Sequence, residues 1–234
     1  MNVHALFPVA VCEFNYPNAA EFKQLLSNSI FKQLDEDGIS NEHTGHVTLH
    51  HEPECQDLFC FLQTCVEEYL KALNVKYDNF NINFIKSWFN ILKHTTTPIH
   101  SHSDSHISIS YYANVPENCT QAIKFNNYHN RMEPFPGCIR WNNPEEKWTV
   151  LNSYSWQFVP KEGDVFIFPS KLMHSTVGSI SDNTLDETID RRIKTIDDFY
   201  DHRICLAADV LLTYKNKQPL PLGIQPVENW RTFK

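Results

Sequence analysis

The residues best suited to chemistry lie in residues 98–114. There, three histidines and an aspartate occur at every second position: His100, His102, Asp104 and His106. Side chains two apart in an extended chain point to the same face, and imidazole with carboxylate suits a divalent ion of the iron, zinc or manganese kind. Residues four apart on a strand are about 13 Å apart at Cα, so only neighbours in the series can share an ion. His102 has a neighbour on either side and is the first candidate ligand, whereas His106 is interpreted as a structural or supporting histidine.

A two-residue chelate needs a third ligand, and the best candidate is His174. Residues 162–164, Glu-Gly-Asp, predict a tight turn, and the short apolar run 165–168 predicts a strand buried in a sandwich core. Pro169 ends that run, and His174 follows it. A His-x-His or His-x-Asp pair with one distant histidine is typical of the facial triad of non-haem iron oxygenases, which leaves coordination positions open. Histidine-rich tracts also occur in solvated loops, but the strand patterns around both segments favour a built site.

Hydrophobic patterns predict the elements that would position these groups. Residues 80–92 alternate apolar and polar side chains and predict a strand before the histidines; residues 6–14, 122–125, 154–159 and 203–213 predict further strands. Residues 18–30, with Asn18 as N-cap, and residues 53–73 predict helices. We therefore expect a mainly β fold with flanking helices, with core strands at about 80–215 and helical N-terminal support at about 15–75.

Two long polar segments have no assigned role. Residues 126–147 form a proline-containing excursion that could cover the site or be ordinary surface. Residues 178–202 combine many acidic residues with Arg191 and Arg192 and are interpreted as an insertion. A solvated insertion, a substrate lid and an oligomer contact all stay open for it.

Length and composition favour one globular domain over residues 1–234. The chain has 41% hydrophobic residues and a formal net charge of −8, which gives no electrostatic reason for nucleic-acid binding. Its start lacks the basic and apolar regions of a signal peptide, and no apolar run of about 18 residues predicts a membrane span. Seven cysteines without a close Cys-x-x-Cys pair fit thiols in a reducing cytoplasm.

Two groups of motifs carry a resemblance to a known family. The first is Trp88-Phe89-Asn90, His100-Ser101-His102 and Ser108-Ile109-Ser110-Tyr111-Tyr112. The second is Pro160 to Asp164, Phe168-Pro169-Ser170, His174 and Arg203-Ile204-Cys205. They resemble the 2-oxoglutarate/Fe(II)-dependent oxygenase superfamily, in particular a branch found in bacteria and tailed phages. The resemblance implies a double-stranded β-helix (jelly-roll, cupin-like) core, one Fe(II), a 2-oxoglutarate cosubstrate and a cytoplasmic location in a bacterium or a phage-infected cell.

The resemblance also implies a ligand set. His102 and His174 would bind Fe(II), with either His100 or Asp104 completing the set. A carboxylate is the usual third ligand, which favours Asp104, whereas the family pair is His-x-His, which favours His100. We lean to His100 and keep Asp104 open.

The distal carboxylate of 2-oxoglutarate needs a fixed cation, and Arg203 fits because a guanidinium grips a carboxylate with two parallel hydrogen bonds. Arg191 and Arg192 could replace it but lie in polar sequence. Three further residues are expected to line the pocket: Asn90, Ser108 and Tyr112. The sequence departs from the family at Ile109, where glycine is common, and at Cys205, where serine is expected. Either change could alter the pocket or the oxoglutarate contact.

The expected activity is dioxygenase chemistry, most simply hydroxylation of a small-molecule or peptide substrate. Two alternatives stay open. One is a cupin-like metalloprotein with a three-histidine site that does not use 2-oxoglutarate. The other is a jelly-roll binding protein without catalysis. A homo-oligomer is compatible with the sequence, and no membrane association is expected.

Overall fold

The computed structural model describes residues 9–32, 48–92, 96–117, 119–126, 155–178, 193 and 195–215. The helices in these ranges are α1 (Ala19–Lys32), α2 (Gln56–Ala72) and α3 (Ile196–Asp201). The strands are β1 (Cys12–Asn15), β2 (Phe80–Leu92), β3 (Thr97–His100), β4 (Ile107–Asn114), β5 (Ala122–Asn126), β6 (Ser155–Phe158), β7 (Asp164–Pro169), β8 (Met173–Val177) and β9 (Arg203–Tyr214).

Several predicted features lie outside the described residues. These are the start of the first predicted strand at residues 6–8, nearly all of the polar excursion, and most of the predicted insertion with Arg191 and Arg192. The first strand is therefore seen only as β1, which begins at Cys12. The single-domain organisation over residues 1–234 stays a prediction.

Two antiparallel sheets stack face to face. The larger has the order β1-β7-β4-β9-β2 and the smaller has the order β3-β8-β5-β6. Buried side chains from both sheets pack together between them: Tyr112, Ile123, Phe125, Phe166, Phe168 and Cys205. This arrangement is the jelly roll that the resemblance implied, and the predicted fold class is confirmed.

The strand β4 is buried on both faces, and the Ile/Ser alternation of its sequence decides which side chain lies on which face. Its odd-numbered residues belong to the core under the helices: Ile107, Ile109, Tyr111 and Ala113. Its even-numbered polar residues line a pocket between the sheets: Ser108, Ser110 and Tyr112. The period of two therefore turns one strand into a hydrophobic wall on one side and a polar wall on the other.

The helices cover the outer face of the larger sheet. The buried residues of α2 recur at helical spacing: Leu58, Phe59, Leu62, Cys65, Val66, Tyr69 and Leu70. They belong to one hydrophobic core with the odd-numbered residues of β4. The predicted buttressing by the N-terminal helices is thus observed. In the described part of the chain, no helix combines the length and apolar character needed to cross a membrane.

The turn before β7 depends on a glycine. Gly163 has a φ of +87°, its N–H donates to the carbonyl of Tyr112 at 2.9 Å, and its carbonyl accepts from the N–H of Tyr16 at 2.8 Å. A Cβ at this position would lie 3.0 Å from Cβ of Ala19 and 3.1 Å from Nδ2 of Asn15. The predicted turn is therefore confirmed at a point where the backbone conformation and the close packing both favour glycine.

We expect Gly163→Ala to lower the free energy of unfolding by about 1–3 kcal/mol, because the alanine would be strained at positive φ and its Cβ would contact α1. Urea denaturation of the two proteins measures this difference. Gly178→Ala is the matched control, since among the described residues its Cβ would meet Cγ2 of Thr96 alone, at 3.9 Å. Equal losses in the two variants would contradict the assignment.

Candidate metal centre and cosubstrate pocket

Three imidazoles from two distant parts of the chain converge beside the pocket between the sheets. His100 ends β3 and His174 lies in β8, where the two residues are register partners, and His102 follows two residues after β3. One possible ligand nitrogen from each residue lies within 4.8 Å of the other two. Because metal–nitrogen bonds are about 2 Å long, a small inward shift of the rings would let all three bind a single ion.

The hydrogen bonds of these rings fix which nitrogen faces the centre. Nδ1 of His100 lies 2.8 Å from the carbonyl of Pro98, and Nδ1 of His174 lies 2.9 Å from the carbonyl of Leu172. Nδ1 of His102 lies 2.6 Å from Oδ1 of Asp209. Carbonyl and carboxylate oxygens only accept, so each Nδ1 carries the proton and each Nε2 keeps its lone pair for a ligand. The residues present therefore fit a divalent metal ion.

Burial keeps His174 in the form that metal binding needs. Desolvation is the main cause that lowers the pKa of His174 to about 4; the neighbouring His100 and His102 act in the same direction, and the hydrogen bond to the carbonyl of Leu172 opposes them. His174 is therefore neutral at neutral pH, and no proton has to leave it before a metal binds.

Asp104 and His106 do not join the three imidazoles. The sequence pattern predicted one extended face for all four residues, but β3 ends at His100 and the chain turns before β4 begins. Asp104 is exposed and forms an ion pair with Lys86, whose hydrogen bond lowers the pKa of Asp104. The ring of His106 accepts a hydrogen bond from the N–H of Leu212 at 3.0 Å, which fits the structural role expected for it.

Backbone hydrogen bonds to other strands cause this turn. The N–H of His102 donates to the carbonyl of Ser170 at 2.9 Å, and the N–H of Ser170 donates to the carbonyl of His106 at 3.1 Å. The N–H of His106 in turn donates to the carbonyl of Val210 at 2.9 Å. These bonds hold residues 101–106 against Ser170, directly after β7, and against β9. The alternation of side chains between the two faces of β3 therefore ends at His100.

The pocket beside the imidazoles contains a buried cation. Arg203 begins β9 and is 2% exposed. Its Nη2 donates to Oη of Tyr112 at 3.1 Å, its Nη1 donates to Oγ1 of Thr176 at 3.5 Å, and its guanidinium carbon lies 4.7 Å from the centre of the Tyr112 ring. Among the described residues no carboxylate forms an ion pair with Arg203.

Two buried polar atoms of this pocket have no hydrogen-bond partner among the described residues, namely Nε of Arg203 and Oγ of Ser175. Removing a cation from water without a counter-charge is expensive, and leaving a buried donor unpaired adds to that cost. A carboxylate bound in the pocket would satisfy both requirements. The pocket therefore fits an anionic cosubstrate such as 2-oxoglutarate.

Three other residues were expected to line the pocket. Asn90, Tyr112 and Ser108 all line the pocket. The hydroxyl of Ser108, however, lies 2.8 Å from Oδ1 of Asp209 and 3.0 Å from Oγ of Ser170, so it already has protein partners. Cys205 places a thiol in the wall, and burial raises its pKa to about 11, which keeps the thiol protonated.

The sequence pattern overlooked Asp209, although its position carried a signal. Asp209 lies six residues after Arg203 on β9, an even spacing that puts the two side chains on the same face of the strand. It is 1% exposed and contacts His102 directly. A carboxylate at an even spacing from the expected oxoglutarate-binding arginine could have been selected on that ground alone.

Comparisons with known proteins agree with this geometry. Residues 86–184 match the family model described as "Putative 2OG-Fe(II) oxygenase". No curated protein sequence matches the chain. A solved structure of a prolyl-4-hydroxylase from Pseudomonas putida is similar with a TM-score of 0.51 at 9% identity, covering 88% of this chain and 94% of that chain. AviO1 from Streptomyces viridochromogenes Tue57 is similar with a TM-score of 0.50 at 8% identity, covering 93% of each chain.

At such low identity the two structures support the fold alone. The family model covers Trp88 and Asn90 at the end of β2 and all three imidazoles. Arg203 lies beyond the matched segment but lines the same pocket. The segment of residues 86–184, which contains all three imidazoles, is therefore similar to the 2-oxoglutarate- and Fe(II)-dependent oxygenases, and the jelly-roll fold and the histidine cluster support that assignment.

Proposed function

We propose that this protein is a dioxygenase that uses Fe(II) and 2-oxoglutarate to hydroxylate a small molecule or a peptide. In this proposal His100, His102 and His174 bind the iron, and Arg203 binds the distal carboxylate of 2-oxoglutarate. The observation that carries it is one pocket that combines three clustered imidazoles with a buried guanidinium lacking a carboxylate partner among the described residues. Either feature alone would be compatible with a protein of another activity, but together they match an iron ion and a dianionic oxo acid.

The chain's own residues bind, orient and exclude water. Fe(II) with 2-oxoglutarate supplies the oxidising chemistry, driven by decarboxylation of the cosubstrate to succinate. Arg203 can donate two parallel hydrogen bonds to the distal carboxylate, and the hydroxyl of Tyr112, already bonded to Arg203, fixes the guanidinium plane. Phe168 and Ile123 give the pocket apolar walls that keep water away from the reacting groups.

The three-imidazole ligand set is also compatible with a cupin-like metalloprotein, and this alternative can be tested. In the described residues no carboxylate joins the imidazole cluster, as in a cupin-like metalloprotein that does not use 2-oxoglutarate. Arg203 argues against that alternative, because a site that takes no anionic cosubstrate has no use for a buried cation that lacks a carboxylate partner in the described part of the chain.

Anaerobic titration of the Fe(II)-loaded protein with 2-oxoglutarate tests the proposal. We expect a weak visible charge-transfer band that saturates with 2-oxoglutarate, and succinate release once oxygen is admitted. Succinate added in place of 2-oxoglutarate is the matched control, because it lacks the keto group that chelates the metal and should give no band. Iron binding without a band and without succinate would support the three-histidine alternative instead.

The substrate is proposed only as a chemical class, and the cellular location and the oligomeric state stay predictions. The family implies a small-molecule substrate, and a peptide is compatible with it. The cytoplasmic location and the homo-oligomer stay predictions from the sequence, as does the absence of nucleic-acid binding, for which the net charge of −8 is the argument.

A further inference from the structure

The proposed ligand set lacks a negative charge that most sites of this chemistry have. Three neutral imidazoles neutralise none of the charge of a divalent ion. The usual set of two histidines and one carboxylate neutralises half of that charge. Asp104, the carboxylate that the sequence offered, is exposed and paired with Lys86. Another carboxylate, that of Asp209, lies one hydrogen bond behind the imidazole cluster.

Asp209 is buried under conditions that disfavour a charge. It is 1% exposed, and its Oδ1 lies 2.6 Å from Nδ1 of His102 and 2.8 Å from Oγ of Ser108. Lys86 is its register partner on β2, but the ammonium of Lys86 bonds Asp104 instead. Burying a carboxylate costs free energy unless its hydrogen-bond partners are well fixed. The burial of Asp209 beside His102 therefore indicates a specific use for its charge.

The three rings differ in the group that accepts their Nδ1 proton. His100 and His174 donate to backbone carbonyls, which are neutral, and His102 donates to the carboxylate of Asp209. A hydrogen bond to a charged acceptor is shorter and stronger than one to a carbonyl, as the distances of 2.6 Å against 2.8 Å and 2.9 Å illustrate. Such a bond raises the basicity of Nε2 and strengthens the metal–nitrogen bond.

A chain of serines holds Asp209 and the histidine loop in place together. Oγ of Ser105 lies 2.8 Å from Oγ of Ser170, which lies 3.0 Å from Oγ of Ser108. Ser108 donates to Asp209, and the backbone of Ser170 accepts from the N–H of His102. The carboxylate of Asp209 therefore contacts the His102 ring, and the backbone of His102 is held by its hydrogen bond to Ser170.

We propose that Asp209 is a positioning residue that orients His102 and supplies the metal centre, through the imidazole, with the negative charge missing from its three ligands. This inference rests on the proposed function, because it takes His102 to be a ligand. It assigns to the chain the carboxylate that the family chemistry uses, placed behind a ligand rather than bound to the ion.

The test measures metal binding in the absence of 2-oxoglutarate. Calorimetry with Co(II) and the visible spectrum of the Co(II) protein are recorded for the full-length wild type, Asp209→Asn and two controls. Asp209→Asn keeps the shape and an acceptor oxygen but removes the charge, and we expect Co(II) affinity to fall about 10- to 100-fold with a changed spectrum. Asp104→Asn removes the same charge from a neighbouring exposed carboxylate and is expected to change neither.

Ser108→Ala separates charge from loop anchoring. It removes the second hydrogen bond to Asp209 but keeps the carboxylate, so we expect a clearly smaller fall in Co(II) affinity than in Asp209→Asn. A loss in Ser108→Ala equal to that in Asp209→Asn would overturn the inference, because anchoring alone would then explain both. An unchanged affinity and spectrum in Asp209→Asn would overturn it as well.

A measurement on the wild type keeps the inference testable if Asp209→Asn does not fold. In the Zn(II)-loaded protein we expect the Nδ1 proton of His102 to resonate downfield of the Nδ1 protons of His100 and His174 in nuclear magnetic resonance spectra, because its acceptor is charged. Three equivalent resonances would overturn the inference while leaving the oxygenase proposal intact. Failure of the wild type to bind Co(II) or Zn(II) through these histidines would overturn both.

Discussion

Replacing Arg203 by methionine is expected to weaken 2-oxoglutarate binding about 30- to 4,000-fold. Truncating one partner of a buried, hydrogen-bonded charge pair costs about 2–5 kcal/mol, and every 1.4 kcal/mol is a factor of ten in the dissociation constant. Methionine keeps much of the arginine's length and apolar volume, so the pocket should keep its shape. Anaerobic titration of the charge-transfer band measures the affinity directly.

The same substitution is expected to raise the melting temperature of the protein without cosubstrate. Arg203 is 2% exposed and has no carboxylate partner among the described residues, so an uncompensated buried charge is removed. The lost hydrogen bonds to Tyr112 and Thr176 offset only part of that gain. A stability gain together with a loss of affinity is the signature of a residue retained for binding rather than for folding.

Lys23→Met is the matched control for Arg203→Met. Lys23 lies on α1, pairs with Glu162 and is not among the residues that line the pocket. Its replacement by methionine removes one positive charge, as Arg203→Met does. We expect the control to bind 2-oxoglutarate as the wild type does. If Arg203→Met also retained wild-type affinity, the role of Arg203 would be refuted and a cation elsewhere would be required.

Replacing His174 by alanine is expected to abolish succinate release and to lower Fe(II) affinity about 100- to 1,000-fold. A full set of strong ligands contributes roughly 10–16 kcal/mol to metal binding in structural zinc sites, so one ligand of three or four accounts for a few kcal/mol. His174 is also the buried member of the cluster and is held neutral, with a pKa lowered to about 4 by desolvation. Anaerobic equilibrium titration with Fe(II) measures the change in affinity.

Two controls accompany His174→Ala. His51→Ala removes an exposed histidine and should leave iron binding and turnover unchanged. Asp104→Ala removes the alternative third ligand that the sequence left open, and its ion pair with Lys86 leads us to expect nearly native turnover. Loss of iron binding in Asp104→Ala, with His100→Ala silent, would reverse the assignment of the third ligand.

Local periodicity in the sequence explains how the walls of the site are formed. The alternation of Ile and Ser along β4 places Ser108 and Tyr112 on the pocket face, and the same spacing along β9 places Arg203 there. These placements follow from the period of two of an extended chain, which does not depend on distant contacts. The helix pattern at 53–73 and the Gly163 turn were likewise readable, because they depend on neighbouring residues.

Contacts between distant segments decided the rest. His100 meets His174 because β3 pairs with β8, and Asp209 reaches His102 across 107 positions of sequence because β9 lies beside β4. Asp104 stays outside the cluster and pairs with Lys86, because backbone hydrogen bonds to Ser170, directly after β7, and to Val210 of β9 turn the chain after His100.

The sequence by itself therefore determined the mainly β fold class and the candidate histidines. Only the tertiary structure decided which carboxylate lies beside the histidines, because that placement depends on strand register and on a loop conformation that non-local hydrogen bonds impose.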